Sequence, residues 1–160
     1  MPTPVPPPNR VPWPPLILTG CVLAALALGW LYPLEPFAAT VSLPLGVLCF
    51  ALGVGLDFMA MRVMRRRAAN ILPHRAATAL VTEFPFSISR NPIYLGNSLL
   101  LAGAGFLFAN PWLLIMAVVA ALLVSQLAIK REEAHLEALF GDKWRRYAAE
   151  VPRWLRIKPK

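Results

Sequence analysis

The sequence predicts an all-α integral membrane protein, with four transmembrane helices and amphipathic helices at its cytosolic C-terminal end. Three observations carry that reading. Of 160 residues, 58% are hydrophobic and only 15% charged, which is more apolar than a water-soluble domain of this length requires. The apolar residues are gathered into long runs. The lysines and arginines lie between and after those runs rather than inside them.

Taken in order, residues 1–15 are dense in proline, which argues against a helix and for an extended, solvated tail ahead of a single membrane domain over residues 16–160. Leu16 to Tyr32 is apolar without a charge, and Val41 to Met61 is apolar except for Asp57. At about 1.5 Å rise per residue each is long enough, or nearly so, to cross the hydrocarbon. Pro33, Pro36 and the further spans favour a retained first helix over a cleaved signal peptide. From Ile93 to Ile129 the apolar run is too long for one helix, and Asn110-Pro111 divides it. Asn110 suits an N-cap and Pro111 a first helical position, where a missing N–H costs nothing. Asn91-Pro92 repeats this start signal before the third helix. Beyond Ile129 the chain is charged with helical period; Gly141 is expected to end one piece, Asp142 to cap the next and Pro152 to end it.

The net charge of +8 is a matter of where the cations sit. Arg62, Arg65, Arg66, Arg67, Arg75 and Arg90 fall between the second and third helices, and the other basic residues of the C-terminal half follow the fourth. Glu35 is the only charge in the two opposite loops. This segregation places both termini in the cytosol, which for a bacterial source means the inner membrane. It also assigns the basic charge to topology and anionic lipid rather than to nucleic acid. Cys21 and Cys49 lie in apolar runs without CxxC spacing or a Cys/His cluster, so they read as small packing residues and no metal site is expected.

Two stretches exceed what membrane insertion demands. In Ser89-Arg90-Asn91-Pro92-Ile93-Tyr94-Leu95-Gly96, an Asn91 cap would leave the first N–H groups of the third helix and its positive dipole end beside Arg90, an arrangement suited to a carboxylate or phosphate. The structural alternative is a snorkelling Arg90, a Tyr94 in the interfacial aromatic belt and glycines that let helices pack. In Lys130 to Phe140, Ile129, Leu136, Leu139 and Phe140 form one stripe at about 100° per residue, and Glu132 and Glu133 fall within about 60° of its centre. Carboxylates bracketing an apolar stripe suggest a cationic partner between this helix and the bundle, or an ion pair with the arginines after the second helix. Asp57 is a functional suspect inside an apolar span, with pairing to Arg62 as the alternative. His74 and His135 read as solvated residues, Met59, Met61 and Met64 as fillers, and Trp144 and Tyr147 as interfacial anchors that could line a pocket.

Together, these stretches resemble the superfamily of isoprenylcysteine carboxyl methyltransferases and phospholipid methyltransferases, over roughly Leu72 to Leu155. The family's Arg-His-Pro-x-Tyr-x-Gly motif corresponds to Arg90-Asn91-Pro92-Ile93-Tyr94-Leu95-Gly96, its further glycine to Gly103, and the Gly-x-Gly of the phospholipid branch to Gly103-Ala104-Gly105. Its paired glutamates match Glu132-Glu133, and its Phe-Gly…Tyr…Val-Pro ending matches Phe140-Gly141, Tyr147 and Val151-Pro152. The chain departs from the pattern at Asn91, which replaces a titratable histidine, and at Glu83-Phe84-Pro85-Phe86, which stands where relatives show a Gly-Pro-aromatic turn.

The resemblance implies S-adenosylmethionine as cofactor, with Arg90 and Asn91 as catalytic residues. It implies a binding set of Arg90, Asn91, Pro92, Tyr94, Gly96, Gly103, Gly105, Glu132, Glu133 and Tyr147. Arg90 and the helix N-terminus would hold the cofactor carboxylate, and Glu132 and Glu133 its ammonium or ribose hydroxyls. No Gly-x-Gly-x-x-Gly follows a strand, which excludes the soluble dinucleotide-type methyltransferase fold. The acceptor is expected to be a lipophilic molecule entering from the bilayer, with a carboxylate preferred over an amine lipid because no histidine base stands at position 91. An NADPH-dependent membrane reductase and a non-catalytic scaffold are the competing readings.

Overall fold

The computed structural model describes residues 11–69 and 77–155; the sequence readings on the first ten residues of the tail, on His74 and on Arg75 lie outside them. The described residues are helical without strands: α1 (Trp13–Leu31), α2 (Ala39–Arg66), α3 (Pro92–Leu107), α4 (Pro111–Val124), a π-helical turn (Ser125–Ile129), α5 (Lys130–Phe140) and α6 (Asp142–Glu150).

α1 begins at Trp13, inside the stretch expected to be an extended tail, because Pro14 and Pro15 occupy the first turn, where a missing N–H breaks no bond. α2 runs to Arg66, beyond the expected end at Met61; its 28 residues rise about 42 Å, so its arginines stand past a hydrocarbon layer of about 30 Å. α4, the π-turn and α5 form one continuous helical run of 30 residues, Pro111–Phe140. The expected separate surface helix is therefore the extension of the fourth span. A π-turn carries one extra residue, so it resets the face α5 presents relative to α4. Three runs are long and apolar enough to cross a membrane, whereas α3, with 16 residues, is shorter than the span expected of it.

α2 packs on α3, α3 on α4 and α4 on α1, while α1 and α2 hardly touch. The α2–α3 seam is built from glycines seven residues apart on each helix, Gly46 and Gly53 against Gly96 and Gly103. A Cβ at Gly53 would lie 2.8 Å from the Gly96 carbonyl, and one at Gly103 2.9 Å from the Phe50 amide nitrogen, distances only a missing side chain allows. Gly105 does the same service against Leu113 and Leu114 of α4. α1 meets α4 through Cys21, Ala25, Ala117 and Ala120. Asn110 caps α4 as expected, accepting from Trp112 N at 3.1 Å. Large apolar side chains such as Trp30, Leu23, Val118 and Leu122 are exposed on the outside of the bundle, a surface that lipid and not water would cover.

At the end of the bundle where α2 stops and α3 starts, the chain folds over itself. Gly141, at φ 51°, turns α5 into α6, with Asp142 the first residue inside α6 rather than its cap. Trp144, Tyr147 and Val151 then pack on Leu80, Leu136 and Phe140. This lays α6 across the segment that precedes α3.

Candidate functional site

That crossing closes a cavity of about 520 Å³ among the start of α1, the end of α2, the start of α3, α5 and α6. One wall is apolar, made by Leu18, Met61, Met64 and Ile93; the other carries Arg90, Tyr94, Glu132 and Glu133. The two methionines thus line the cavity, and their flexible thioethers suit an irregular apolar guest.

The polar wall is held from behind. Tyr94 donates its hydroxyl to Glu132 Oε1 at 2.7 Å. Glu133 is bound by Arg153 on both oxygens, Nε to Oε1 at 2.9 Å and Nη2 to Oε2 at 2.5 Å, and by Arg90 Nη1 at 3.3 Å. Its partners are therefore the arginines flanking α3 and α6, not the cluster after α2. The Arg90 guanidinium lies 5.6 Å over the Trp144 ring, and Trp144 meets Tyr147 edge-on. Arg90 Nε is buried without a hydrogen-bond partner.

The segment after α6 fixes the start of α3. Arg90 N donates to Pro152 O at 3.0 Å. The Arg153 carbonyl accepts from Asn91 Nδ2 at 3.0 Å and from Ser89 Oγ at 3.4 Å, and fully buried Ser89 in turn accepts from Asn91 N at 3.1 Å. Asn91 stands at the N-cap position but makes no side-chain cap. The expected cap is replaced by a tether to Arg153, which leaves the first N–H groups of α3 uncapped by any side chain.

The structure thus brings Arg90, Asn91, Pro92, Tyr94, Glu132, Glu133 and Tyr147 to one cavity. It places Gly96, Gly103 and Gly105 in the helix seams. Tyr147 donates to Phe86 O at 2.7 Å, and burial pushes its phenol above the usual range against the smaller opposing pull of Arg90. The hydrogen bonds that Arg153 donates to Glu133 raise its guanidinium above the usual value, so it stays charged.

Two members, His135 and Arg153, were not foreseen. His135 is buried, not solvated, and accepts from Ala77 N at 3.2 Å because the segment before α3 folds over it. Arg153 read only as a topological charge; no periodicity marks it, since it lies past the helix that Pro152 ends. Asp57 makes no ion pair with Arg62 among the described residues. Its carboxylate lines the cavity with Oδ1 buried and lacking a hydrogen-bond partner.

Among known proteins, the family model described as phospholipid methyltransferase matches residues 41–143, from α2 through the first residues of α6. An uncharacterized protein of Haemophilus influenzae is 40% identical over 63 residues, 39% of this chain and 79% of that one. No solved structure matches the chain. The matched region takes in the whole α2–α3 seam and the polar wall's Arg90, Tyr94, Glu132 and Glu133, and by that match the chain belongs to the phospholipid methyltransferase family.

Proposed function

We propose that this membrane protein transfers the methyl group of S-adenosylmethionine to a lipophilic acceptor at the basic, cytosolic end of the bundle. The observation that carries the reading is Arg90, whose buried, unpartnered Nε shares a cavity with Glu132 and with an apolar wall. An unpaired buried donor beside uncapped helix N–H groups calls for an anion. S-adenosylmethionine has a carboxylate, an ammonium and a flat adenine whose ring faces suit apolar surroundings, and it supplies an electrophilic methyl group on a sulfonium.

Each residue then takes a role from its position. Arg90 and the first turn of α3 receive the carboxylate. Glu132, oriented by the Tyr94 hydroxyl, receives the ammonium or a ribose hydroxyl. Glu133 is already engaged by two arginines, so it positions Arg90. Asn91 positions the same turn through Arg153, while Gly96, Gly103 and Gly105 act by holding α3 against its neighbours. Tyr147 and Trp144 exclude water. Such a site accelerates an in-line displacement mainly by positioning and dryness.

The acceptor enters from the bilayer through the gap between α1 and α2, which hardly touch and whose Leu18, Met61 and Met64 form the apolar wall. A carboxylate acceptor of the isoprenylcysteine kind would be guided by the surrounding arginines. An amine acceptor is the second reading, and Asp57 favours it.

Equilibrium binding to detergent-solubilised protein tests the cofactor assignment. S-adenosylhomocysteine should bind saturably and NADPH should not compete. Binding of NADPH alone would replace the reading with that of a reductase, and binding of neither with that of a scaffold.

A further inference from the structure

Three consecutive residues after α6 tie the polar wall together. The Pro152 and Arg153 carbonyls accept from Arg90 N and Asn91 Nδ2 at the start of α3, both at 3.0 Å, and the Arg153 guanidinium holds Glu133 of α5. Trp154 then docks in the π-helical turn. Its indole Nε1 donates to Ser125 Oγ at 3.2 Å, and its ring packs, with Trp13, Ile17 and Tyr94, against buried Val124, Ala128 and Ile129. Ser125 Oγ donates its own proton to Ala121 O at 2.8 Å, which leaves its lone pairs to accept from the indole.

The π-turn is what lets neighbouring residues make both grips. Ser125 and Glu133 lie eight residues apart on the continuous run Pro111–Phe140, which in a regular α-helix would leave them about 80° apart around the axis. The extra residue absorbed by the turn at Ser125–Ile129 brings them to within about 20° of one face. Arg153 can then reach Glu133 while Trp154 reaches Ser125. At its other end the same segment is pinned by Val151, packed with Trp144 and Tyr147.

We infer that Trp154 is a positioning residue for Arg90 and that the π-turn is its socket. The inference rests on the methyltransferase reading and deepens it. Arg90 is reached from this segment by two routes, its N–H on Pro152 O and its Nη1 on the Glu133 carboxylate that Arg153 holds. With the indole docked, both routes are fixed at once. With the indole released, the segment keeps its Val151 end and loses the other, so the carbonyls at the start of α3 and the Arg153 guanidinium are no longer held in one register. The guanidinium of Arg90 is then free to leave the orientation in which it meets the cofactor carboxylate.

The test reads S-adenosylhomocysteine affinity on the full-length, detergent-solubilised protein. Trp154→Phe keeps an aromatic ring in the socket and removes the indole N–H, while Ser125→Ala removes its acceptor. Each should lower affinity by about threefold to tenfold, the range of one ordinary hydrogen bond. The double variant should lie within about twofold of either single one, because both remove the same contact. In an Arg90→Ala background Trp154→Phe should change affinity by less than about twofold, a result that a merely structural tryptophan would not give. Trp30→Phe, at a ring 84% exposed on the bundle's outside, should leave affinity unchanged. Should Trp154→Phe not fold, Ser125→Ala, which leaves the ring in place, carries the same prediction alone. Wild-type affinity in a folded Trp154→Phe or Ser125→Ala protein, or an undiminished loss in the absence of Arg90, overturns the inference while the cofactor site stands. Failure of the wild type to bind S-adenosylhomocysteine overturns both.

Discussion

The coupling between Glu133 and Arg153 is the sharpest consequence of the polar wall. Glu133 is 15% exposed at its side chain and takes three contacts, two from Arg153 and one from Arg90. A charge-assisted hydrogen bond in a partly buried setting contributes about 1.5–3 kcal/mol. Arg153 is 35% exposed, so solvent screening trims its pair to the bottom of that range and somewhat below, about 1–2 kcal/mol. A double-mutant cycle with Glu133→Ala and Arg153→Ala, read by reversible unfolding in mixed micelles, isolates this term. Each single variant should cost more than the coupling alone, because the partner is left charged and unpaired. The same cycle read on S-adenosylhomocysteine affinity should be non-additive through Arg90, whose orientation depends on Glu133. Additivity within about 0.5 kcal/mol in both readouts would refute the claim that these groups form one positioning unit.

Arg90→Ala and Glu132→Ala should each weaken S-adenosylhomocysteine by about 1.5–3 kcal/mol, while Glu137→Ala, which loses an ion pair with the exposed Arg145, should leave isothermal titration curves unchanged. Gly53→Ala should destabilise the bundle by about 1–3 kcal/mol through overpacking of the α2–α3 seam, whereas Gly55→Ala, with nothing within 4 Å of the added carbon, should be neutral in the same unfolding assay. Tyr147→Phe should cost about 1 kcal/mol with the lost hydrogen bond to Phe86. Because the folded phenol is raised by burial, that contribution is fully present below the ordinary tyrosine value of about 10 and fades only as pH rises beyond it, which unfolding midpoints across alkaline pH would reveal. Single cysteines in a cysteine-free background should react with an impermeant maleimide from outside intact cells at Glu35 and not at Arg66; the reverse pattern would invert the topology.

The starts of α3 and α4 were legible because they are local chemistry. Asn91-Pro92 and Asn110-Pro111 announce them, whereas α1 begins at Trp13, ahead of the apolar run expected to open it. The facing of Glu132 and Glu133 toward one cavity also follows from helical spacing. Less could be read where the decisive partner is distant in sequence. Asn91 looks like a cap, yet Arg153 O, brought back by Pro152 and α6, captures its amide. His135 looks solvated until Ala77 covers it. The glycines of Gly96-to-Gly105 match a binding motif yet lie in helix seams, the packing alternative, because Gly46 and Gly53 of α2 face Gly96 and Gly103, a pairing that the seven-residue spacing on each helix does not by itself reveal. The π-turn leaves no compositional mark, so the fusion of α4 with α5 is visible only in three dimensions.

The most direct test of the central claim is calorimetric titration of S-adenosylhomocysteine into the detergent-solubilised wild type and Arg90→Ala proteins. The wild type should show one saturable site, and Arg90→Ala an affinity about tenfold to a hundredfold lower. Equal affinity in the two proteins, with Arg90→Ala folded, would contradict it.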